Sequence, residues 1–236
     1  MEKKDQIYEG KAKILYKTDD PELVIQYFKD DATAFNAAKK GTIEDKGVMN
    51  NAISSKIFEY LKSQGIPTHF EEKLNDREML IKSVKIVPIE VIVRNRAAGS
   101  FSRNYDVEEG TELKNTVIEF SYKRDDLNDP LINEYHIRAM GLATDQDLET
   151  IKTLTFKIND LLSKFFNSLD LELIDFKLEF GRFKGDIILA DEISPDTCRL
   201  WEVGTGNRLD KDRFRHDLGN VKEAYQDVVN RVTQQG

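Results

Sequence analysis

Cysteine is nearly missing from this sequence: Cys198 stands alone among 236 residues, so no internal disulfide can form. That suits a reducing compartment, and a cytoplasmic protein is expected. The three histidines (His69, His136, His216) are scattered without metal-ligand spacing, which argues against a zinc centre. No apolar run is long enough to span a membrane, and the opening MEKKDQ is too charged for a signal-peptide core. Basic charge is in deficit. Lys and Arg number 35 against 43 Asp and Glu, a formal net charge of -8 that argues against general nucleic-acid binding. Any anionic ligand must therefore be met by cations gathered locally. Gly-x-Ser-x-Gly, Cys-x-x-Cys and Walker-type motifs are absent, as are internal repeats and low-complexity linkers. Glycine and proline are few. What remains is the composition of an ordinary soluble globular chain, long enough to bury a full core as one domain or two packed lobes.

The densest chemistry lies in Leu173 to Asp196, LIDFKLEFGRFKGDIILADEISPD. At the two-residue period of a strand, Ile174, Phe176, Leu178 and Phe180 share one face, while Asp175, Lys177 and Glu179 share the other. A connection over Gly181–Gly185 and a returning strand over Ile187–Ile193 predict a β-hairpin. Folding the strands about that connection brings Asp191 close to Glu179. Carboxylates opposite each other in a ladder repel, and Asp191 sits in an apolar run where an unpaired charge is costly. A cation must compensate. Mg²⁺ takes one or two carboxylates plus the phosphate oxygens of a nucleotide; Lys177 could instead satisfy both carboxylates as a structural ion pair. The hairpin alone leaves both open.

The rest of the chain supplies the context. Ile7 to Lys17 reads as a strand opening an antiparallel sheet, with Lys11 and Lys13 on one face and Gly10 permitting close approach to the backbone. Taken alone, it reads as a solvated face rather than a phosphate site. Leu23 to Phe28 gives a second strand, and Asp30 to Gly47 reads as polar and irregular. Val48 to Ser63 has helical spacing and ends at Gly65 and Pro67. Strands follow at Leu80–Val84 and Ile86–Val93. In the latter Val87, Ile89, Val91 and Val93 face the core while Glu90 and Arg94 share the other face. The turn Arg94-Asn95-Arg96-Ala97-Ala98-Gly99-Ser100 offers guanidinium forks and small residues that expose backbone N–H groups, as a phosphate cradle requires. Glu108 to Ile132 reads as less regular, with a ligand-contacting loop around Lys123–Asp129. Thr144 and Asp147 begin a long amphipathic helix by a capping box. A last helix is expected from about Asp212 to Val232, with Phe214, Leu218, Val221, Tyr225 and Val228 inward.

Seven stretches together resemble the phosphoribosylaminoimidazole-succinocarboxamide synthase (SAICAR synthetase) family nearly end to end: YEGKAK (8–13), KGVMNNAIS (46–54), VPIEVIVRNRAAGS (87–100), DPLINE (129–134), LIDFKLEFG (173–181), DEISPDTCRLW (191–201) and DKDRFR (210–215). The resemblance implies an α+β fold, with an N-terminal antiparallel β lobe over 1–86, a larger C-terminal α+β lobe over 87–236, and ATP between them. It implies a ligase joining carboxyaminoimidazole ribonucleotide (CAIR) to L-aspartate with ATP and Mg²⁺, in a homodimer. By the same resemblance Lys11 and Lys13 would hold nucleotide phosphates, with Lys82, Ile86 and the backbone up to Val87 beside the adenine. Glu179 and Asp191 would carry Mg²⁺, with Lys177 between them and the transferred phosphate. Arg94, Ser100, Arg199 and Arg215 would bind the ribonucleotide, joined by Glu90 and Asp196. Asp45 and Asp129 would assist a metal at the imidazole carboxylate, and Lys123 and Asp175 would serve the reacting groups. Two positions depart from the family: Asn36 stands where some relatives are acidic, and Tyr135 where many have Asp. A small-molecule kinase could use the same lysines and carboxylates. A nucleotide sensor that had lost turnover would be expected to lack Lys177, Glu179 or Asp191, and all three are present.

Overall fold

A computed structural model describes residues 2–34 and 39–234. The N-terminal lobe is built on a five-stranded antiparallel sheet. Its strands are β1 (Gln6–Glu9), β2 (Lys13–Lys17), β3 (Leu23–Phe28), β6 (Phe70–Lys73) and β7 (Glu78–Lys82), in the order β1-β2-β3-β7-β6. Between β3 and β6 lie the small hairpin β4 (Asp31–Ala34) and β5 (Lys39–Thr42), then helix α1 (Lys46–Ser63). The predicted single strand over 7–17 is instead a hairpin. Tyr8 pairs with Leu15 and Glu9 with Ile14, and the Gly10 N–H donates to the Lys13 carbonyl at 2.8 Å. Alternation alone hides such a turn, because Gly10-Lys11-Ala12 carries no other turn residue. A Cβ on Gly10 would lie 3.1 Å from the Tyr8 ring, so glycine lets that ring cross the turn. The polar stretch after Asp30 likewise hides the β4–β5 hairpin.

Helix α1 buries Met49, Ile53, Ile57, Phe58 and Leu61 against this sheet, as its spacing requires. It begins under tight constraint. Asp30 accepts the Gly47 N–H at 2.9 Å and holds Arg77 through two guanidinium bonds of 2.7 and 2.9 Å, while the Phe28 carbonyl crosses directly above Gly47.

The second sheet comprises β8 (Lys85–Arg96), β9 (Glu112–Tyr122), β10 (Leu131–Ile132), β11 (Leu171–Phe183), β12 (Asp186–Ala190) and β13 (Cys198–Glu202). Its order is β10-β9-β8-β11, and the far edge of β11 is shared: residues 171–176 pair with β13 and residues 179–183 with β12, all antiparallel. Short helices α2 (Ser100–Tyr105) and α3 (Glu134–Ala139) sit in the connections, and α4 (Asp145–Asn167) covers one face of the sheet. Thr144 and Asp147 form the expected capping box. On that face Val87, Ile89, Val91, Val93, Phe176, Leu178 and Phe180 meet Leu148, Ile151, Ile158, Leu162 and Phe166 in one continuous core. The period-two pattern then leaves Glu90, Arg94, Asp175, Lys177 and Glu179 on the other face. The lobes join where Leu189 of β12 exchanges backbone bonds with Pro67 and His69, at 2.9 and 2.8 Å, and α1 packs on the C-terminal helix α6 (Val221–Thr233).

Three further expectations change. The irregular region before Ile132 contains the eleven-residue strand β9, whose polar residues pair beside β8. The β11–β12 turn is Lys184-Gly185 alone, both at positive φ as a two-residue hairpin loop requires. The last helix is broken: α5 (Asp212–Arg215) stops, positive φ at Asp217, Gly219 and Asn220 turns the chain, and α6 starts afresh. Leu218 falls in that break and is exposed instead of inward.

Because a Cβ on Gly47 would come within 2.3 Å of the Phe28 carbonyl oxygen, Gly47→Ala is expected to destabilise the fold by about 1–3 kcal/mol. Urea unfolding of the two proteins measures the difference.

Candidate active site

A cleft of about 600 Å³ opens between the two sheets. Its apolar wall combines Leu15, Val24, Ile81, Val84 and Ile86, with Lys82 and Ser83 alongside. These residues lie along β2, β3 and β7, the link between β7 and β8, and the start of β8. Lys82 turns its ammonium back to the Thr68 carbonyl (3.1 Å) and Glu71 (3.2 Å). At the mouth, Lys11 on the β1–β2 turn reaches Asp125 at 2.7 Å, tying that turn to the loop after β9.

The floor is charged. Lys177 contacts Glu90 at 3.0 Å, Glu179, and Asp191 at 3.5 Å. Lys123 contacts Glu179 at 2.8 Å, and Lys13 contacts Asp191 and Glu192. The hairpin register accounts for this. Glu179 lies opposite Ala190 in the ladder, and Asp191, one residue further, leaves the strand at φ 65. The two carboxylates thus avoid facing each other in the ladder and meet across the Lys177 ammonium. For Asp191 and Lys177 burial opposes ionisation, but the opposing charges prevail. Lys13, Lys177 and Lys123 hold the Asp191 carboxyl far below its usual range, and Glu179, Asp191 and Glu90 hold Lys177 well above its own.

Asp129 lines the cleft and accepts the Arg124 N–H at 2.8 Å. Asp45 is not brought there; it lies half exposed between Lys222 (3.0 Å) and Arg77 (3.7 Å), at the start of α1. Among the described residues no group of three or more His, Cys, Asp or Glu side chains could hold a metal unaided. Glu179 and Asp191 supply hard oxygens at the bottom of the cleft, a donor set that suits Mg²⁺ completed by water and phosphate oxygens. Asn36 lies outside the described residues, and Tyr135 is exposed on α3.

The neighbouring end of the same sheet face gathers the arginines. Asp175, opposite Arg94 in the ladder, bonds Arg94 Nη1 at 2.8 Å and Arg199 Nη1 at 2.8 Å. Arg94 also donates to Glu119 (2.7 Å) and to the Ser100 hydroxyl (2.8 Å). Arg199 Nε donates to Asp212 at 2.7 Å, and Arg215 donates to the other Asp212 oxygen at 2.6 Å. Asp212, held at about 2 by the two arginines against the cost of burial, thereby gathers Arg199 and Arg215 on one carboxylate. Asp210 beneath it is pushed up to about 7 by burial and by Asp212. Arg96 points elsewhere, to Glu172 at 2.6 Å. Asp196 lines the cleft, but its oxygens are taken by Lys46 (2.6 Å) and the Tyr225 hydroxyl (2.7 Å).

Sequence reasoning passed over Glu119, Asp212, Lys46, Lys211, Glu192 and His69. Lys46, Glu192, Lys211 and Asp212 lie within the family motifs, which made them findable; Glu119 and His69 carried no signal of their own. His69 is 1% exposed, lines the cleft and packs edge-on against Phe58 with ring centres 5.0 Å apart. Among the described residues neither ring nitrogen makes a well-formed hydrogen bond, and the Asp191 backbone is the polar group that interacts with its ring.

A family model for SAICAR synthetase matches residues 6–232. The phosphoribosylaminoimidazole-succinocarboxamide synthase of Clostridium kluyveri is 60% identical over 233 residues, covering 99% of each chain. The crystal structure of the synthase so named from Ehrlichia chaffeensis superposes with a TM-score of 0.96 at 51% identity, over 97% of this chain and 98% of that one. A SAICAR synthetase in complex with ADP matches with a TM-score of 0.94 at 42% identity, over 98% of both chains.

Burial drives the His69 pKa down to about 3, whereas the unfolded chain binds this proton near pH 6.5. Between those values only the unfolded state is protonated, so His69 costs stability as pH falls from 6.5, by up to about 1.4 kcal/mol per pH unit. His69→Leu is expected to gain on the wild type progressively over that interval, as read by urea unfolding at successive pH values.

Proposed function

Since this chain belongs to the SAICAR synthetase family, we propose that its cleft joins CAIR to L-aspartate with ATP, releasing ADP and phosphate in purine biosynthesis. One observation carries the assignment to this site: three lysines and a carboxylate pair meet at the cleft floor, directly beside a set of arginines already oriented by carboxylates. A nucleotide triphosphate and a second phosphate-bearing substrate need those two centres side by side.

A carboxylate is a poor electrophile. The CAIR carboxylate attacks the terminal phosphorus of ATP, giving an acyl phosphate and ADP. The neutral amine of aspartate then attacks the acyl carbon and expels phosphate, forming the amide. Positioning and charge neutralisation do most of the catalysis in such transfers. The adenine lies against the apolar wall beside Lys82 and Ile86, in the lobe formed by residues 1–86. Lys11 and Lys13 hold the phosphates. Glu179 and Asp191 would hold Mg²⁺, which would offset the charge on the phosphate oxygens, and Lys177 stands between this pair and the transferred phosphoryl group. Lys123 reaches the reacting carboxylate from the loop after β9, close to Asp129.

Arg94, Ser100, Arg199 and Arg215, in the lobe formed by 87–236, receive the ribonucleotide phosphate. Bidentate guanidinium contacts suit that group. Asp175 orients two of these arginines, and Glu90 steers Lys177. Asp196 acts beside the substrate through Lys46. Asp45 assists a metal only if the start of α1 approaches the floor. The protein works in the cytoplasm as a homodimer, as the family resemblance implies.

ADP release measured with ATP, Mg²⁺ and CAIR, with and without L-aspartate, tests the function. Release that depends on aspartate and yields the succinocarboxamide is expected; aspartate-independent release would instead indicate a kinase. Asp191→Asn should lower turnover roughly 100-fold or more while circular dichroism shows an intact fold, and a near-normal rate with Mg²⁺ would remove the metal role. Arg94→Ala should raise the KM for CAIR roughly 10- to 100-fold and leave that for ATP little changed. Equal loss of both would count against the phosphate cradle.

A further inference from the structure

The acceptor amino acid brings two carboxylates into a cleft already crowded with acidic side chains. Something cationic must receive at least one of them. Most lysines lining the cleft are already engaged at close range: Lys11 with Asp125, Lys13 with Asp191, Lys82 with Glu71, Lys123 with Glu179, and Lys177 with Glu90 and Glu179. Lys211 differs. Among the described residues its nearest carboxylate oxygen is Asp196 Oδ2 at 3.9 Å, beyond hydrogen-bond distance.

That carboxylate is also spent. Lys46, itself buried, holds the same Asp196 oxygen at 2.6 Å, and Tyr225 donates to the other at 2.7 Å. Lys211 is nevertheless drawn out of water, with its side chain only 14% exposed, and its backbone N–H is fixed to the Pro195 carbonyl at 3.0 Å. Burial, with Lys46 and Arg215 nearby, pulls its pKa down, and Asp196 and Glu192 only partly restore it. An ammonium in that position is short of negative charge, and it faces the cleft on the Asp196–Thr197 side.

Resting on the ligase function proposed above, we propose that Lys211 is the docking point for a carboxylate of the acceptor L-aspartate. The arginines around Asp175 are already tied to Glu119, Asp175 and Asp212, whereas the Lys211 ammonium is a compact point charge with no carboxylate of its own at hydrogen-bond distance among the described residues. Lys46 shields Asp196, so the incoming anion meets a net positive corner instead of a bare carboxylate. A cation beside the acceptor also favours the neutral form of its amine, which is the nucleophile.

The test compares Lys211→Met, Lys211→Arg and wild type, reading KM for each substrate and the inhibition constant of succinate, a dicarboxylate without the amine. In Lys211→Met the KM for L-aspartate and the succinate constant should both rise roughly 10- to 100-fold, with the KM values for CAIR and ATP little changed. Lys211→Arg should recover most of the loss. Unchanged aspartate and succinate constants would overturn the proposal, and so would an equal rise for CAIR, which would assign Lys211 to the ribonucleotide or to the fold. If the wild type shows no aspartate-dependent ADP release, the ligase function itself fails. Succinate titrated into wild type and Lys211→Met by calorimetry then still reads the subsite: weaker binding by the variant upholds it, and equal binding overturns it.

Discussion

The cleft depends on a cluster of like charges made tolerable by half-buried lysines. Glu90, Glu179, Asp191 and Glu192 converge at its floor, and Lys13, Lys123 and Lys177 lie among them. Taking charges out of water costs several kcal/mol each unless they are paired, and removing one partner of such a pair costs about 3–5 kcal/mol. The assembly therefore depends on the register that brings its members together. The apolar face of β8 and β11, packed on α4, fixes that register. A one-residue slip of either strand would send the charged face into the core.

The same sheet face carries both charged centres of the proposed site. Along β11, Glu179 and Lys177 lie at the charged cleft floor, and Asp175, two residues before Lys177, holds the arginines. The two charged centres are thus carried by alternate residues of one strand, which limits how far their relative position can drift. β11 is well suited to this. It is the longest strand, flanked by β8 on one edge and by β12 and β13 on the other. Turns and loops are left to the rim, where the β1–β2 turn meets the loop after β9 through Lys11 and Asp125.

Carboxylates here do more positioning than chemistry. Asp175 holds two arginines, Asp212 gathers Arg199 and Arg215, and Asp196 is locked between Lys46 and Tyr225. Each removes conformational freedom from a cation before a ligand arrives, and preorganisation of this kind lowers the cost of binding.

The sequence by itself determined the faces of β8 and β11, the span of α4 with its capping box, and the residue types at the floor. Those follow from period-two and period-3.6 patterns, which are local. It also carried the family motifs, and with them the joint presence of Lys177, Glu179 and Asp191. Tertiary structure decided the rest. The turn at Gly10 that splits the first strand, the strand at 112–122 and the break between α5 and α6 rest on pairing partners and positive-φ residues that composition does not reveal. Which acids meet was also decided in space. Asp191 joins Glu179 through one ammonium, whereas Asp45 stays with Arg77 and Lys222. The pairing of Lys46 with Asp196 spans 150 residues of sequence. No local pattern encodes a contact of that range; packing of the lobes creates it, and that contact leaves Lys211 turned to the cleft.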